Sequence, residues 1–377
     1  MQEDNSFNSE NNTTNVVDSK KDEPPSLCDW KWQLSNRIKN TKDLESFKIN
    51  LDKNIISVLD QFPVSITPYY LSLIKEFTSK DPIYRMSFPL PEENIYLPFL
   101  QSDPLKEEHS SPVENLIHKY KDRALIISTS LCSVNCRHCT RKRVTGQQEF
   151  CFTKENLDKW VEYITSHPEI KDVIISGGDP LTMETSKIDY LLSRIRAIES
   201  VDIIRIGTRT PVVLPMRITE ELVNVLKKYH PLWINTHFNH PNEITKDSIV
   251  ACNRIADAGI PLGNQSVLLK DINDDKYIME ELCRKLVKMR CRPYYLFSPD
   301  KVLGTAHFQT SVETGVNIIE HLQLSVGGLA TPTFVVDLAD GGGKIPIVPN
   351  RVIKSENGEI LFKNKIGGTS KHMDFQL

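Results

Sequence analysis

From Arg123 onward two hydrophobic rhythms alternate along the chain. Short apolar runs, rich in β-branched residues, occur at Ala124–Ser128, Val173–Ser176, Ile203–Ile206, Leu232–Thr236, Gly263–Leu268 and Pro293–Phe297, and they predict strands. Between and after them, apolar residues at three- and four-residue spacing predict helices over Glu155–Ser166, Ser186–Ile198, Glu220–Tyr229, Ser248–Ala258, Tyr277–Met289 and Glu313–Gln323. Alternating strand and helix argue for an α/β fold, a parallel sheet with helices outside it. Right-handed crossovers allow a doubly wound sheet or a barrel. Six such units, with chemically interesting residues where the strands end, favour a partial, TIM-like (β/α)6 barrel.

The pattern divides the rest of the chain. Residues 1–25 carry Asn, Ser, Asp, Glu and Lys with almost no large apolar side chains, and they read as a disordered tail. Residues 26–122 form a helical N-terminal extension in this reading. Its helical spacing includes Leu51, Ile55, Ile56, Val58 and Leu59, its turns fall at Pro63, Pro68, Pro82, Pro89 and Pro91, and 103–120 is expected to be a loop leading into a short helix. Residues 123–330 hold the barrel, and 331–377 a short C-terminal segment.

Composition narrows the class. A 377-residue chain with 39% hydrophobic and 25% charged residues suits a globular protein, and a net charge of −3 argues against a nucleic-acid binder driven by bulk electrostatics. No apolar run is long enough to span a membrane, and no secretory signal is visible. Eight cysteines in a chain this long are not a disulfide scaffold; three lie in one short motif, which suits a reducing cytoplasm.

That motif, Leu131–Arg143, reads LCSVNCRHCTRKR. Cys132, Cys136 and Cys139 can converge from one loop, and three thiolates suit an Fe–S cluster with one iron left open. A small zinc site with His138 as fourth ligand is the alternative on spacing alone. The second strand runs into Ser176-Gly177-Gly178-Asp179-Pro180, which is either a ligand-approach turn or an ordinary strand exit. His237 follows the fourth strand, and Gln265 interrupts the apolar fifth, where a strand buried on both faces gives it no water to face. Asp300 follows the sixth and reads as a placed carboxylate or a cap. Asp337 and Lys344 flank a run of three glycines. A buried lysine there could carry an aldehyde cofactor. The run is not a phosphate loop, because Ile345 stands where Ser or Thr is required.

Taken together, CSVNCRHCTRKR, IISGGDPL, INTHFNHPNEIT, NQSVLL, RPYYLF, TPTFVVD and GGGKIPIVPN resemble the lysine 2,3-aminomutase family of radical S-adenosylmethionine enzymes, from about Trp30 to Val352. The resemblance implies a [4Fe–4S] cluster on Cys132, Cys136 and Cys139, with S-adenosylmethionine at the open iron. Ser176, Gly177, Gly178, Asp179, His237 and Gln265 would position that cosubstrate. Lys344 would carry pyridoxal 5′-phosphate, with Tyr120 and Arg123 at cofactor-contacting positions. Arg141 would hold the substrate carboxylate, and Asp300 with Asp337 its distal ammonium. The implied activity is isomerisation of L-lysine to β-lysine by 1,2-amino migration. The implied partners are a small amino acid and a flavodoxin- or ferredoxin-type reductant, with a homo-oligomer left open. Other readings are lysine destined for translation elongation factor P, another basic amino acid such as arginine, or a non-catalytic relative.

Some residues depart from the family pattern. No cysteine follows Cys291, and Asp275 stands about where the long members place a zinc ligand, so no structural zinc is expected. Lys119 and Phe297 differ from the residues at cofactor-phosphate positions of those members.

Overall fold

The computed structural model describes residues 25–47, 58–59, 62–145, 149–338, 342–356, 359–364 and 368–373. One nine-stranded sheet organises it, with strands in sequence order from β1 to β9. Seven are parallel: β2 (Arg123–Ile127), β3 (Asp172–Ser176), β4 (Ile203–Gly207), β5 (Leu232–Thr236), β6 (Leu262–Val267), β7 (Arg292–Phe297) and β8 (Thr333–Leu338). An antiparallel strand flanks each end, β1 (Leu116–Tyr120) against β2 and β9 (Gly343–Pro346) against β8. The sheet is therefore a curled, open barrel with hairpins on both edges.

All six expected β–α units are present. Their helices are α1 (Lys154–Thr165), α2 (Thr185–Arg196), α3 (Glu220–Leu226), α4 (Lys246–Asp257), α5 (Lys276–Lys288) and α6 (Val312–Ser325). Local chemistry sets where several begin: Thr153, Thr219, Thr245, Asp275 and Ser311 each accept a backbone N–H from the first turn. Asp275 is thus a helix cap. Alternate strand residues such as Val173, Ile175, Ile204 and Ile206 are buried beneath the helices and form the core. In the first turn of α6, Gly315 lies against Phe334 of β8; a Cβ there would stand 2.1 Å from the ring.

Two expectations need correction. The segment read as a short helix before Tyr120 is strand β1, because LIHKY turns back through Lys121-Asp122 and pairs Tyr120 with Arg123. TPTFVVD, read as part of a separate C-terminal segment, supplies a seventh parallel strand. Beyond it, Val352–Glu356, Glu359–Lys363 and Thr369–Met373 form a small antiparallel sheet.

The N-terminal extension consists of short helices, among them Trp30–Ser35, Thr41–Ser46, Pro68–Leu71 and Pro82–Ser87. All of the expected 1–25 tail before Pro25, and the helical positions Leu51, Ile55 and Ile56, lie outside the described residues. Among those residues no helix is long and apolar enough to cross a membrane.

Candidate active site

The cysteine loop follows β2 and is stitched down on both sides. On the barrel side, the Gly178 N–H donates to the Thr129 carbonyl at 2.6 Å and the Asp179 N–H to the Leu131 carbonyl at 2.7 Å. A Cβ at Gly177, which has φ +140°, would stand 2.2 Å from the Thr129 carbonyl, and one at Gly178 would stand 2.4 Å from the Leu131 carbonyl. The two glycines thus let the turn press against the loop. Asp179 spends its carboxylate locally, accepting from Leu181 N (3.1 Å), Thr208 Oγ1 (2.5 Å) and Arg209 N (2.8 Å). It braces the turn. On the extension side, Arg137 forms a bidentate pair with buried Glu93 at 2.7 and 2.6 Å, and Arg37 donates to the Cys132 carbonyl at 2.8 Å.

The three thiols sit together. Burial, and then the neighbouring thiol sulfurs, push Cys132 well above the ordinary thiol value and raise Cys139 as well. A metal cluster that binds thiolate would offset that cost. His138 is turned elsewhere, 3.3 Å from Asn239 Nδ2 and edge-on to Phe308. Among the described residues no group of three or more His, Cys, Asp or Glu could hold a single metal ion. Thiolates sharing one tetrahedral ion at about 2.3 Å would lie within about 4 Å of one another. Thiolates on separate irons of a cluster need not.

Next to the loop, the C-terminal ends of the parallel strands supply Ser176 (β3), His237 (just after β5) and Gln265 (β6). Burial, then the Arg209 and Arg141 cations, hold His237 down to about 4, while a hydrogen bond to the Gln265 backbone opposes them. At neutral pH His237 is therefore an uncharged hydrogen-bonding group.

Arg141, directly behind Cys139, is held side-on. Its Nε lies 3.0 and 3.1 Å from the two Glu107 oxygens, and its Nη2 donates to Glu107 at 2.7 Å. The other terminal nitrogen, Nη1, reaches 3.4 Å toward Ser176 Oγ. A guanidinium has a side-on and an end-on edge, each able to grip a carboxylate. Glu107 occupies the first and leaves the second toward Ser176.

The far side of the site is built on the two edge hairpins. Asp337 and Lys344 are direct cross-strand partners in β8 and β9, with Lys344 Nζ 2.8 Å from Asp337 Oδ2. The other Asp337 oxygen is buried without a hydrogen bond, 3.9 Å from Lys119 Nζ. Lys344 also stands 5.6 Å from the Phe297 ring centroid and 6.0 Å from that of Tyr120. The Tyr120 hydroxyl is buried and unpartnered. Gly343, at φ +78°, passes it so closely that a Cβ would come within 3.3 Å of the oxygen. Arg123 lies over the Tyr120 ring at 4.9 Å and pairs with Asp122 at 2.9 Å. Asp300, on the loop after β7, accepts from Thr140 Oγ1 at 2.5 Å. Burial raises its carboxyl, as do Asp337 and Glu107 nearby, against the Thr140 hydrogen bond and Lys344.

Comparison with known proteins places this geometry. Residues 126–282 match the model of the radical SAM superfamily, and 319–373 match that of lysine-2,3-aminomutase. The chain is 47% identical over 340 residues to L-lysine 2,3-aminomutase of Clostridium subterminale, covering 89% of this chain and 82% of that one. This chain belongs to the lysine 2,3-aminomutase family of radical SAM enzymes. The enzyme of that name from Methanococcus maripaludis is 48% identical, over 92% of this chain and 81% of the relative. A glutamate 2,3-aminomutase from Clostridioides difficile is 43% identical over 92% and 83%. The protein is thus an isomerase of the aminomutase type, and membership in this family implies a [4Fe–4S] cluster and S-adenosylmethionine.

The residues present fit those groups. Three clustered thiols face the ends of the strands that carry Ser176, His237 and Gln265. The orphaned Tyr120 hydroxyl, the exposed Lys344 amine and the close pass of Gly343 fit a bulky aldehyde cofactor at the opposite end. Arg209, Glu243, Tyr70, Glu107 and Thr140 escape a reading of the sequence. Arg209 and Cys136 touch across 73 positions, and Glu107 and Arg141 across 34, with no local pattern joining either pair.

Proposed function

We propose that the protein is an L-lysine 2,3-aminomutase that interconverts L-lysine and β-lysine, with pyridoxal 5′-phosphate on Lys344 and the cluster on Cys132, Cys136 and Cys139. The observation that carries the reading is Asp337. It is a buried carboxylate that already accepts a primary ammonium at 2.8 Å, with the raised Asp300 carboxyl close by. Two carboxylates suit the ε-ammonium of lysine and repel the side chain of glutamate. When bound, S-adenosylmethionine at the cluster supplies the hydrogen-abstracting radical, and pyridoxal phosphate supplies the carrier for the migrating nitrogen.

The chain's own residues orient the substrate. The end-on edge of Arg141 takes the α-carboxylate, while Asp300 and Asp337 take the distal ammonium, so the carbon chain is stretched between fixed points. Ser176, Gln265 and neutral His237 line the cosubstrate side. The Tyr120 and Phe297 rings flank the Lys344 amine at 6.0 and 5.6 Å, and the Tyr120 hydroxyl is free to donate to the cofactor. A flavodoxin- or ferredoxin-type protein supplies the electron.

The test is anaerobic reconstitution with iron, sulfide, pyridoxal phosphate, S-adenosylmethionine and dithionite. L-lysine is then offered and β-lysine sought by mass spectrometry. Borohydride should fix the cofactor to the peptide that contains Lys344. Turnover of arginine, or only of lysine destined for elongation factor P, would move the substrate; glutamate turnover without lysine turnover would refute the carboxylate grip.

A further inference from the structure

Arg209 is buried and fully directed, although no substrate-facing role falls to it. It opens the short helix Thr210–Val213 after β4, and its backbone N–H is fixed by Asp179 at 2.8 Å. Its Nε donates to the His237 carbonyl at 3.2 Å. Its Nη2 lies 2.9 Å from Tyr70 Oη and 2.5 Å from Glu243 Oε1. Glu243 is itself immobilised: Tyr70 donates to the same oxygen at 2.7 Å, and the Asn239 and His240 amides donate to the other at 2.6 and 3.0 Å. The remaining terminal nitrogen, Nη1, points at Cys136 Sγ, 2.8 Å away. Among the described residues, Cys136 is the one cluster-motif thiol that receives a guanidinium hydrogen bond.

A side chain needed only to neutralise Glu243 would have no reason to present its last donors to sulfur. Hydrogen bonds and positive charge at a ligating thiolate withdraw electron density and make the attached cluster easier to reduce. We propose that Arg209 sets the reduction potential of the cluster through Cys136, and that Glu243, Tyr70 and Asp179 act as positioning residues by fixing its guanidinium and backbone. This inference rests on the family-implied cluster and does not depend on which amino acid is the substrate. It also gives the Gly177-Gly178-Asp179 turn a second task, because the carboxylate that braces the turn also anchors Arg209.

The experiment is an EPR-monitored redox titration of the reconstituted holoprotein, with iron and sulfide counted for each sample. Arg209→Lys keeps the charge and loses the fork. The double variant Arg209→Met/Glu243→Gln removes the cation without leaving a buried carboxylate bare. The expected result is a midpoint that falls in both, further in the double variant, with cluster content retained. In the double variant the ratio of reduced to oxidised cluster at fixed potential should drop at least tenfold, which is about 59 mV for a one-electron couple. Arg217 is a buried arginine that donates to the Leu181 and Met183 carbonyls at 2.8 and 2.9 Å and lies over the Trp30 ring, and Arg217→Lys should leave the midpoint in place. An unchanged midpoint in Arg209→Lys and the double variant at full cluster content would overturn the proposal, as would an equal shift in Arg217→Lys. If the double variant fails to hold a cluster, Arg209→Lys decides alone. A wild-type protein that takes up no iron would refute the cluster itself, and a normal midpoint shift without lysine turnover would leave this inference standing while the substrate assignment fell.

Discussion

The two ends of the site are finished to different degrees. At the cysteine end the charged side chains are paired within the protein: Asp179, Glu243, Arg209 and Arg137 are bonded in full or nearly so, and glycines allow backbone contact where side chains would collide, while Ser133 Oγ and His138 Nδ1 are left bare. At the amine end, one Asp337 oxygen and the Tyr120 hydroxyl are buried with nothing bonded to them. Buried polar groups normally find partners, and leaving one bare costs about 1–3 kcal/mol. The charges of the first end are therefore matched within the protein. The other is held in deficit and gains its missing bonds when small molecules arrive.

Substitutions can break or sharpen that contrast. The largest effect belongs to Asp337→Asn. Removing one partner of a buried charged pair costs about 2–5 kcal/mol, so KM for lysine should rise roughly thirtyfold to several thousandfold. An analogue lacking the ε-amine should feel little of it; an equal loss for both would show that Asp337 does not grip the amine. Next comes Glu107→Gln, which weakens the side-on hold on Arg141. Steady-state kinetics should show a KM increase of about ten- to a hundredfold with kcat little changed, the loss of a hydrogen bond to a charged group. Lysinamide, which has no carboxylate, should be nearly indifferent.

A smaller effect is expected from pH. Burial lifts the Asp300 carboxyl above its ordinary 3.8, so the ionised form that binds an ammonium is lost as pH falls through that raised value. The acid limb of kcat/KM for lysine should lie there. Thr140→Val removes a hydrogen bond that favours the ionised form, so the limb should move to higher pH, with less than about a tenfold loss at neutral pH. The smallest is Tyr120→Phe. Deleting an unsatisfied hydroxyl should stabilise the cofactor-free protein by about 1 kcal/mol in urea unfolding, while pyridoxal phosphate is retained less well. A loss of stability would mean that the hydroxyl already has a partner.

What the sequence disclosed follows the same division. The six β–α units were legible because each repeats a long periodic pattern, and Cys132, Cys136 and Cys139 because their spacing is local. The strand Leu116–Tyr120 was not, since five residues of mixed polarity leave helix and strand undecided and its hairpin partner settles the matter. Thr333–Leu338 was visible as an apolar run, but its place beside β7 is fixed by α6 packing over it. The position of Asp337 could be read, whereas its bond to Lys344 depends on a cross-strand register. Asp179 was legible as a turn residue, whereas its bonds to Thr208 and to the Arg209 backbone join positions about thirty residues apart and show only in the folded chain.

Gly315 gives the far wall of the site a mechanical origin. A glycine within a helix costs up to about 1 kcal/mol relative to alanine, yet here, in the first turn, it lets α6 settle directly onto the Phe334 ring. Phe334 and Asp337 lie three residues apart on one short strand, so the depth at which α6 seats bears directly on the strand that carries the carboxylate. Gly315→Ala, on a helix that touches no reacting atom, would act as a shim under that strand and be felt at the end of the substrate.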